Sequence, residues 1–178
     1  MKYLENILEE LNSSSKSLDN QNISSEIIKS KQVFTHGLGR SGLVLKMFAM
    51  RLAQLGHNSN VVGETTTKSI HKDDLLILAS GSGNTAQVKI VAQEAKKVGA
   101  NIILITSNDD SEIGKIADHV VNIYSKSKYD HNKSITIQPM GSLFEQTLML
   151  YLDSMVLQLM NDENINESDM MKNHANLE

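Results

Sequence analysis

The chain has 178 residues, 40% hydrophobic and 21% charged, ordinary values for a globular protein long enough to bury a large core. Its 17 Lys and Arg against 21 Asp and Glu give a formal charge of −4 with no basic block, which argues against nucleic-acid binding by phosphate neutralisation. The absence of cysteine excludes disulfides, thiolate catalysis and cysteine-ligated zinc. No apolar run approaches the ~20 residues of a membrane helix. The start, MKYLENILEELNSS, is too polar for a signal peptide, so a cytoplasmic domain with no membrane partner is expected.

Leu4, Ile7, Leu8 and Leu11 recur at helical spacing, and a polar Asn/Ser stretch follows to about Asn22. A second short helix is expected over 23–31, then a strand over 32–36 (QVFTH) that runs into the glycines of GLGRSG. After Gly42 the segment LVLKMFAMRLAQLG is helical, with Leu43, Met47, Met50 and Leu55 on one face and Gly56 at its end. Residues 60–63 read as a short strand and LLILA at 75–79 as a fully buried one. A helix over 87–98 is closed by Gly99, and strands over 102–106 and 120–124 flank a short helix around 111–117. A polar loop spans 125–134, and a long helix over 143–160 carries Phe144, Leu148, Tyr151, Leu152, Met155 and Leu159. Solid apolar runs alternating with helices indicate parallel strands covered on both faces. The expected fold class is α/β: one domain over 1–178, a three-layer α/β/α sandwich on a mainly parallel central sheet, flavodoxin- or Rossmann-like. A helical segment (1–31) precedes it and a polar tail (161–178) follows.

In such a fold, ligands sit at the carboxyl ends of the strands where the order reverses. Two strand ends here are rich in Gly and Ser. Gly37-Leu38-Gly39-Arg40-Ser41-Gly42 matches G-x-G-x-x-G between a strand and a helix, with Glu64 near where a ribose-binding acid would fall. This turn is open to three readings: a nucleotide site, another anion site, or a tight turn needing glycine. The second loop, Ser80-Gly81-Ser82-Gly83-Asn84-Thr85, places three hydroxyls and two glycines at a helix N-terminus. Backbone N–H groups, the helix dipole and the hydroxyls together suit a phosphate monoester. No Lys or P-loop pattern accompanies them, which argues against a nucleoside triphosphate. The plain alternative is helix capping by Ser82 or Asn84.

Pro139-Met140-Gly141-Ser142-Leu143-Phe144-Glu145 opens the long helix. Ser142 and Glu145 form S-x-x-E, a capping box taken alone; the helix N-terminus also favours the ionised carboxylate that a general base requires. The six histidines show no metal-ligand spacing, so no metal is expected. His36 and His57 read as structural or surface groups, and His174 stands alone in a polar tail.

These pieces resemble the sugar isomerase (SIS) domain family. VGETTT (62–67), QPMGSLFEQT (138–147) and the HANLE terminus are similar in particular to the 6-phospho-3-hexuloisomerases, and the resemblance spans essentially the whole chain. It implies conversion of 3-hexulose 6-phosphate to fructose 6-phosphate through a cis-enediolate, a step of the ribulose monophosphate route of formaldehyde assimilation, without cofactor or metal. It implies that Glu145 is the base, that Ser41, Ser80, Gly81, Ser82, Gly83, Asn84 and Thr85 bind the sugar phosphate, and that the sites are assembled in a homodimer or homotetramer. His174 is a candidate relay, donated by another subunit. Asn84 stands where related enzymes are expected to carry a charged residue. A dinucleotide-binding protein and a non-catalytic sugar-phosphate sensor are the competing readings.

Overall fold

Leu75–Ala79 is apolar and buried at every position, and it forms the middle strand, β3, of a five-stranded sheet. The computed structural model describes residues 2–126 and 135–177, so the polar loop expected over 125–134 lies almost wholly outside the described residues. The other strands are β1 (Val33–Gly37), β2 (Ser59–Val61), β4 (Asn101–Thr106) and β5 (His119–Asn122). Their order is β2-β1-β3-β4-β5 and every pairing is parallel. Strand alternation divides the core in two. Val33, Leu75, Ile77, Ile103 and Ile105 point to one side, Phe34, Leu76, Leu78, Ile102 and Leu104 to the other.

The first side is covered by α2 (Ser24–Lys29), α3 (Gly39–Gln54) and α5 (Ser142–Asp162). The second is covered by α4 (Ala86–Lys97). The expected three-layer α/β/α sandwich is what forms. The helix α1 (Lys2–Ser15) packs outside α5, and α6 (Glu167–Lys172) closes the described tail with a capping box between Asn166 and Asp169.

Four local expectations are corrected. First, α1 continues through the Asn/Ser stretch to Ser15, because Ser14 is buried: its hydroxyl donates to Tyr124 O (2.7 Å) and accepts from Thr147 Oγ1 (3.0 Å). Second, α3 begins at Gly39, and its buried face is Val44, Leu45, Phe48, Ala49 and Leu52. Leu43, Met47 and Met50 are exposed, although Leu55 is buried as expected. This helix carries two apolar stripes. The close approach of Gly42 to strand β1, described below, decides which one turns inward.

Third, residues 111–117 form turns rather than a helix. Ile113 N donates to Gly83 O (3.1 Å) and Gly114 N to Ser111 Oγ (3.1 Å), so their amides are committed elsewhere. Finally, β5 ends at Asn122. Gln21 donates to Asn122 O and accepts from its N–H, and Ser17 Oγ accepts from Tyr124 N, so the end of α1 and the turn after it cover this sheet edge.

Candidate active site

The sheet order reverses between β1 and β3, which both leave the sheet at their carboxyl ends beside the same cleft. Each strand enters a glycine-containing turn and then a helix, so two helix N-termini, those of α3 and α4, point toward it. The cleft has a volume of about 700 Å3 and is lined by residues from both turns, by Lys126 and by the start of α5.

In the first turn the glycines perform separate tasks. A Cβ at Gly42 would lie 2.4 Å from Gly37 O, so only glycine lets α3 descend this closely onto β1. Gly39 takes a left-handed φ of +58° to begin the helix. With the turn so fixed, Arg40 and Ser41 line the cleft. Glu64 lies apart from them, paired with Lys46 Nζ (2.6 Å) on the surface.

The second turn is built by its own polar groups. Ser80 Oγ and Thr85 Oγ1 share a hydrogen bond (2.8 Å) across the loop, and Ser80 Oγ accepts from Gly83 N (3.1 Å). Gly83, at φ +64°, is buried beneath the loop; a Cβ there would come within 2.4 Å of the Ser111 side chain. From below, Ser107 Oγ donates to Gly81 O (2.7 Å), Asn108 Nδ2 to Ser82 O (3.1 Å), and Asn84 Oδ1 accepts from Glu112 N (2.9 Å). Thr85 is the N-cap of α4 without a side-chain capping bond, and Ser82 Oγ accepts only from the neighbouring Asn84 N (3.3 Å). The capping reading of Ser82 and Asn84 therefore fails. The loop is held rigid from beneath, and the first amides of α4 are left to face the cleft.

The third wall is the entry to α5. Met140 (φ 59°) and Gly141 (φ 84°) are consecutive left-handed residues, and Gly141 is the N-cap. Ser142 is the first helical residue and its Oγ donates back to Pro139 O (2.7 Å), so the expected capping box with Glu145 does not form. The Glu145 carboxylate instead faces the cleft and pairs with Arg40 Nε (2.5 Å). Its side chain is 14% exposed, whereas Arg40 is 66% exposed.

Of the residues singled out in the sequence, Ser41, Ser80, Gly81, Ser82, Asn84, Thr85 and Glu145 line this one cleft. Gly83 supports it from below, and the Asn84 amide is turned to the 107–113 segment. His174 does not join them within one chain. The adjacent Asn173 Nδ2 donates to Gln54 O (3.0 Å) at the far end of α3, some ~20 Å from Gly39 by helix rise. His57 braces Glu163 (2.8 Å), and burial holds the His36 imidazole below its ordinary range. Sequence reasoning missed Arg40 as the partner of Glu145 and Lys126 as a second cation on the cleft wall. Arg40 had a signal, since it sits inside the glycine turn; Lys126 had none.

The pattern of the SIS domain matches residues 26–157, which contain every wall of this cleft. The chain belongs to the SIS domain family. This SIS protein is 42% identical over 180 residues to the 3-hexulose-6-phosphate isomerase of Bacillus subtilis, covering 99% of this chain and 97% of that one. It is 45% identical to the enzyme of the same name from Methanocaldococcus jannaschii, covering 85% of this chain and 79% of that one. Its fold superposes with a TM-score of 0.87 on a crystal structure from Methanococcus jannaschii, 36% identical with full coverage of both chains, for which a molecular function of 3-hexulose-6-phosphate isomerase is inferred. The resemblance read from the sequence is borne out.

Proposed function

We propose that the protein is a sugar-phosphate isomerase that interconverts 3-hexulose 6-phosphate and fructose 6-phosphate. The observation that carries this reading is the meeting of one carboxylate, Glu145, with a rigid hydroxyl-rich helix N-terminus at the switch point of the sheet. The phosphate belongs in the Ser80–Thr85 loop, where amides and hydroxyls supply donors to its oxygens. Glu145 then takes the proton from carbon 2 of the 3-ketose, leaving an enediolate across carbons 2 and 3. The carboxyl proton exchanges with solvent and a proton is delivered to carbon 3, while the hydroxyl proton on the carbon 2 oxygen moves to the carbon 3 oxygen. The double bond between carbons closes into the carbonyl at carbon 2, so one base suffices and no electron leaves the sugar. Arg40 beside Glu145 offers its remaining N–H groups to the enediolate oxygens.

Phosphate on the sixth oxygen prevents a ketone at carbon 3 from closing a five-membered ring, so this substrate arrives open-chain. Ring opening is needed only from the fructose side. There His174, donated by another subunit of a homodimer or homotetramer, is the candidate relay. Family likeness supports an assembly of that kind, in the cytoplasm and in the ribulose monophosphate route. Among the described residues no helix is long and apolar enough to cross a membrane. The test is to incubate the pure protein with fructose 6-phosphate and examine the products by carbon NMR. A new ketone resonance at carbon 3 is expected; an unchanged substrate spectrum would refute the reading.

A further inference from the structure

Glu10 stands on α1, outside the matched SIS segment, and its carboxylate accepts three hydrogen bonds from one short stretch of chain. Thr136 Oγ1 (2.6 Å) and Gln138 Nε2 (2.8 Å) donate to Oε2, and Ile137 N (2.8 Å) donates to Oε1. Thr136 and Gln138 are only 3% and 6% exposed, and Thr136 Oγ1 accepts in turn from Gln138 N (3.0 Å). A carboxylate is the side chain suited to this task, because both oxygens accept and neither competes as a donor. Removing it would leave buried donors without a partner.

This strap leads directly into the cleft. Lys126 Nζ, on the cleft wall, donates to Thr136 O (3.2 Å). After Gln138 come Pro139 and the two left-handed residues Met140 and Gly141, which themselves line the cleft, and then the first turn of α5 with Glu145. Burial pulls the Glu10 carboxyl upward, but the bonds from Thr136, Gln138 and Ile137 and the nearby Lys126 ammonium outweigh it and hold it below the usual range. Glu10 is therefore ionised throughout the neutral range.

We infer that Glu10 is a positioning residue: it pins the 136–138 strap and Lys126, and through the Met140–Gly141 turn it sets where Glu145 points. The inference rests on the reaction proposed above. It assigns to α1 a part in turnover beyond packing against α5.

The test compares Glu10→Ala and Glu10→Gln with wild type, and with Ile102→Val, a variant of the opposite core that lowers the melting temperature without touching the cleft. Isomerisation by wild type is measured first; its absence would refute the reaction, while amide hydrogen exchange over 136–141 reports the clamp independently. We expect faster exchange there in Glu10→Ala and a kcat lower by about ten- to hundredfold, as for a misplaced catalytic group. KM for fructose 6-phosphate should change far less, and Glu10→Gln should recover part of the loss. Ile102→Val should keep its kcat. Should Glu10→Ala fail to fold, Glu10→Gln and Gln138→Ala carry the same expectation. Wild-type kcat in the folded Glu10 variants, or unchanged exchange over 136–141, overturns the inference.

Discussion

The two glycine-rich turns look alike in sequence and sit side by side at the switch point, yet they work differently. In Gly37–Gly42 the glycines serve backbone packing, and what the turn presents to the cleft is side chains, Arg40 and Ser41. In Ser80–Thr85 the hydroxyls tie the loop together, Gly83 is locked over Ser111, and the helix amides are what is presented. A glycine signature thus identifies a sharp strand-to-helix turn. Whether the turn grips an anion depends on what satisfies its own backbone. Glu145, on the third wall, is the group that both turns serve in the proposed reaction.

The largest expected effect tests that dependence. Glu145→Gln keeps side-chain length and can still pair with Arg40, but it cannot take a carbon-bound proton. Positioned bases contribute about 10²–10⁴-fold, so turnover should fall at least about a hundredfold in a folded protein that still binds fructose 6-phosphate. Steady-state kinetics beside a calorimetric binding measurement separates the two, and a variant with wild-type kcat would remove Glu145 from the chemistry.

Within the second turn, Ser82→Ala and Thr85→Ala each remove one hydroxyl that the proposed function assigns to the phosphate. Bonds to charged groups are worth about 1.5–3 kcal/mol, so kcat/KM should fall roughly ten- to hundredfold with a near-normal melting temperature. Thr85→Ala also breaks the bond to Ser80. Inorganic phosphate should compete with substrate in wild type and less well in both variants. Unchanged specificity constants would move the phosphate out of this loop.

Gly42→Ala probes the first turn in the opposite way. Its Cβ would meet a backbone carbonyl that has little room to shift, so the expected outcome is about 1–3 kcal/mol of lost stability by denaturant titration. The smallest effect belongs to Glu64→Gln. This carboxylate forms a half-exposed ion pair with Lys46, worth about 1 kcal/mol at most, and neither stability nor turnover should change appreciably. Loss of activity there, or a rise in melting temperature with a nicotinamide dinucleotide, would restore the dinucleotide reading of GLGRSG.

Much of this was legible in the residues. The parallel sheet showed in solid apolar runs such as LLILA, and the hydroxyl-rich turn on the cleft wall showed in three hydroxyls and two glycines at one helix start. Other features depend on contacts that no local pattern encodes. The S-x-x-E box at Ser142 gave way because Gly141 adopts a left-handed N-cap, which starts the helix one residue too early for Ser142 to cap it. The inward face of α3 is chosen by Gly42 against β1 rather than by hydrophobicity. The 111–117 segment spends its Glu112 and Ile113 amides on the loop above it. Lys126 and Glu10 are single charges in polar surroundings, and only the fold brings Lys126 to the cleft wall and Glu10 to the 136–138 strap. His174 follows Asn173, which is bound at the far end of α3 from the cleft, so the relay role proposed for it requires the proposed assembly.

The central claim is that one base moves a proton between carbons 2 and 3 of a sugar phosphate held in this cleft. Incubating wild type with fructose 6-phosphate in deuterated water tests it most directly. Proton NMR should show loss of the carbon 3 hydrogen and retention of both carbon 1 hydrogens, with Glu145→Gln leaving all of them in place. Exchange at carbon 1, or no exchange at either carbon, would contradict the account.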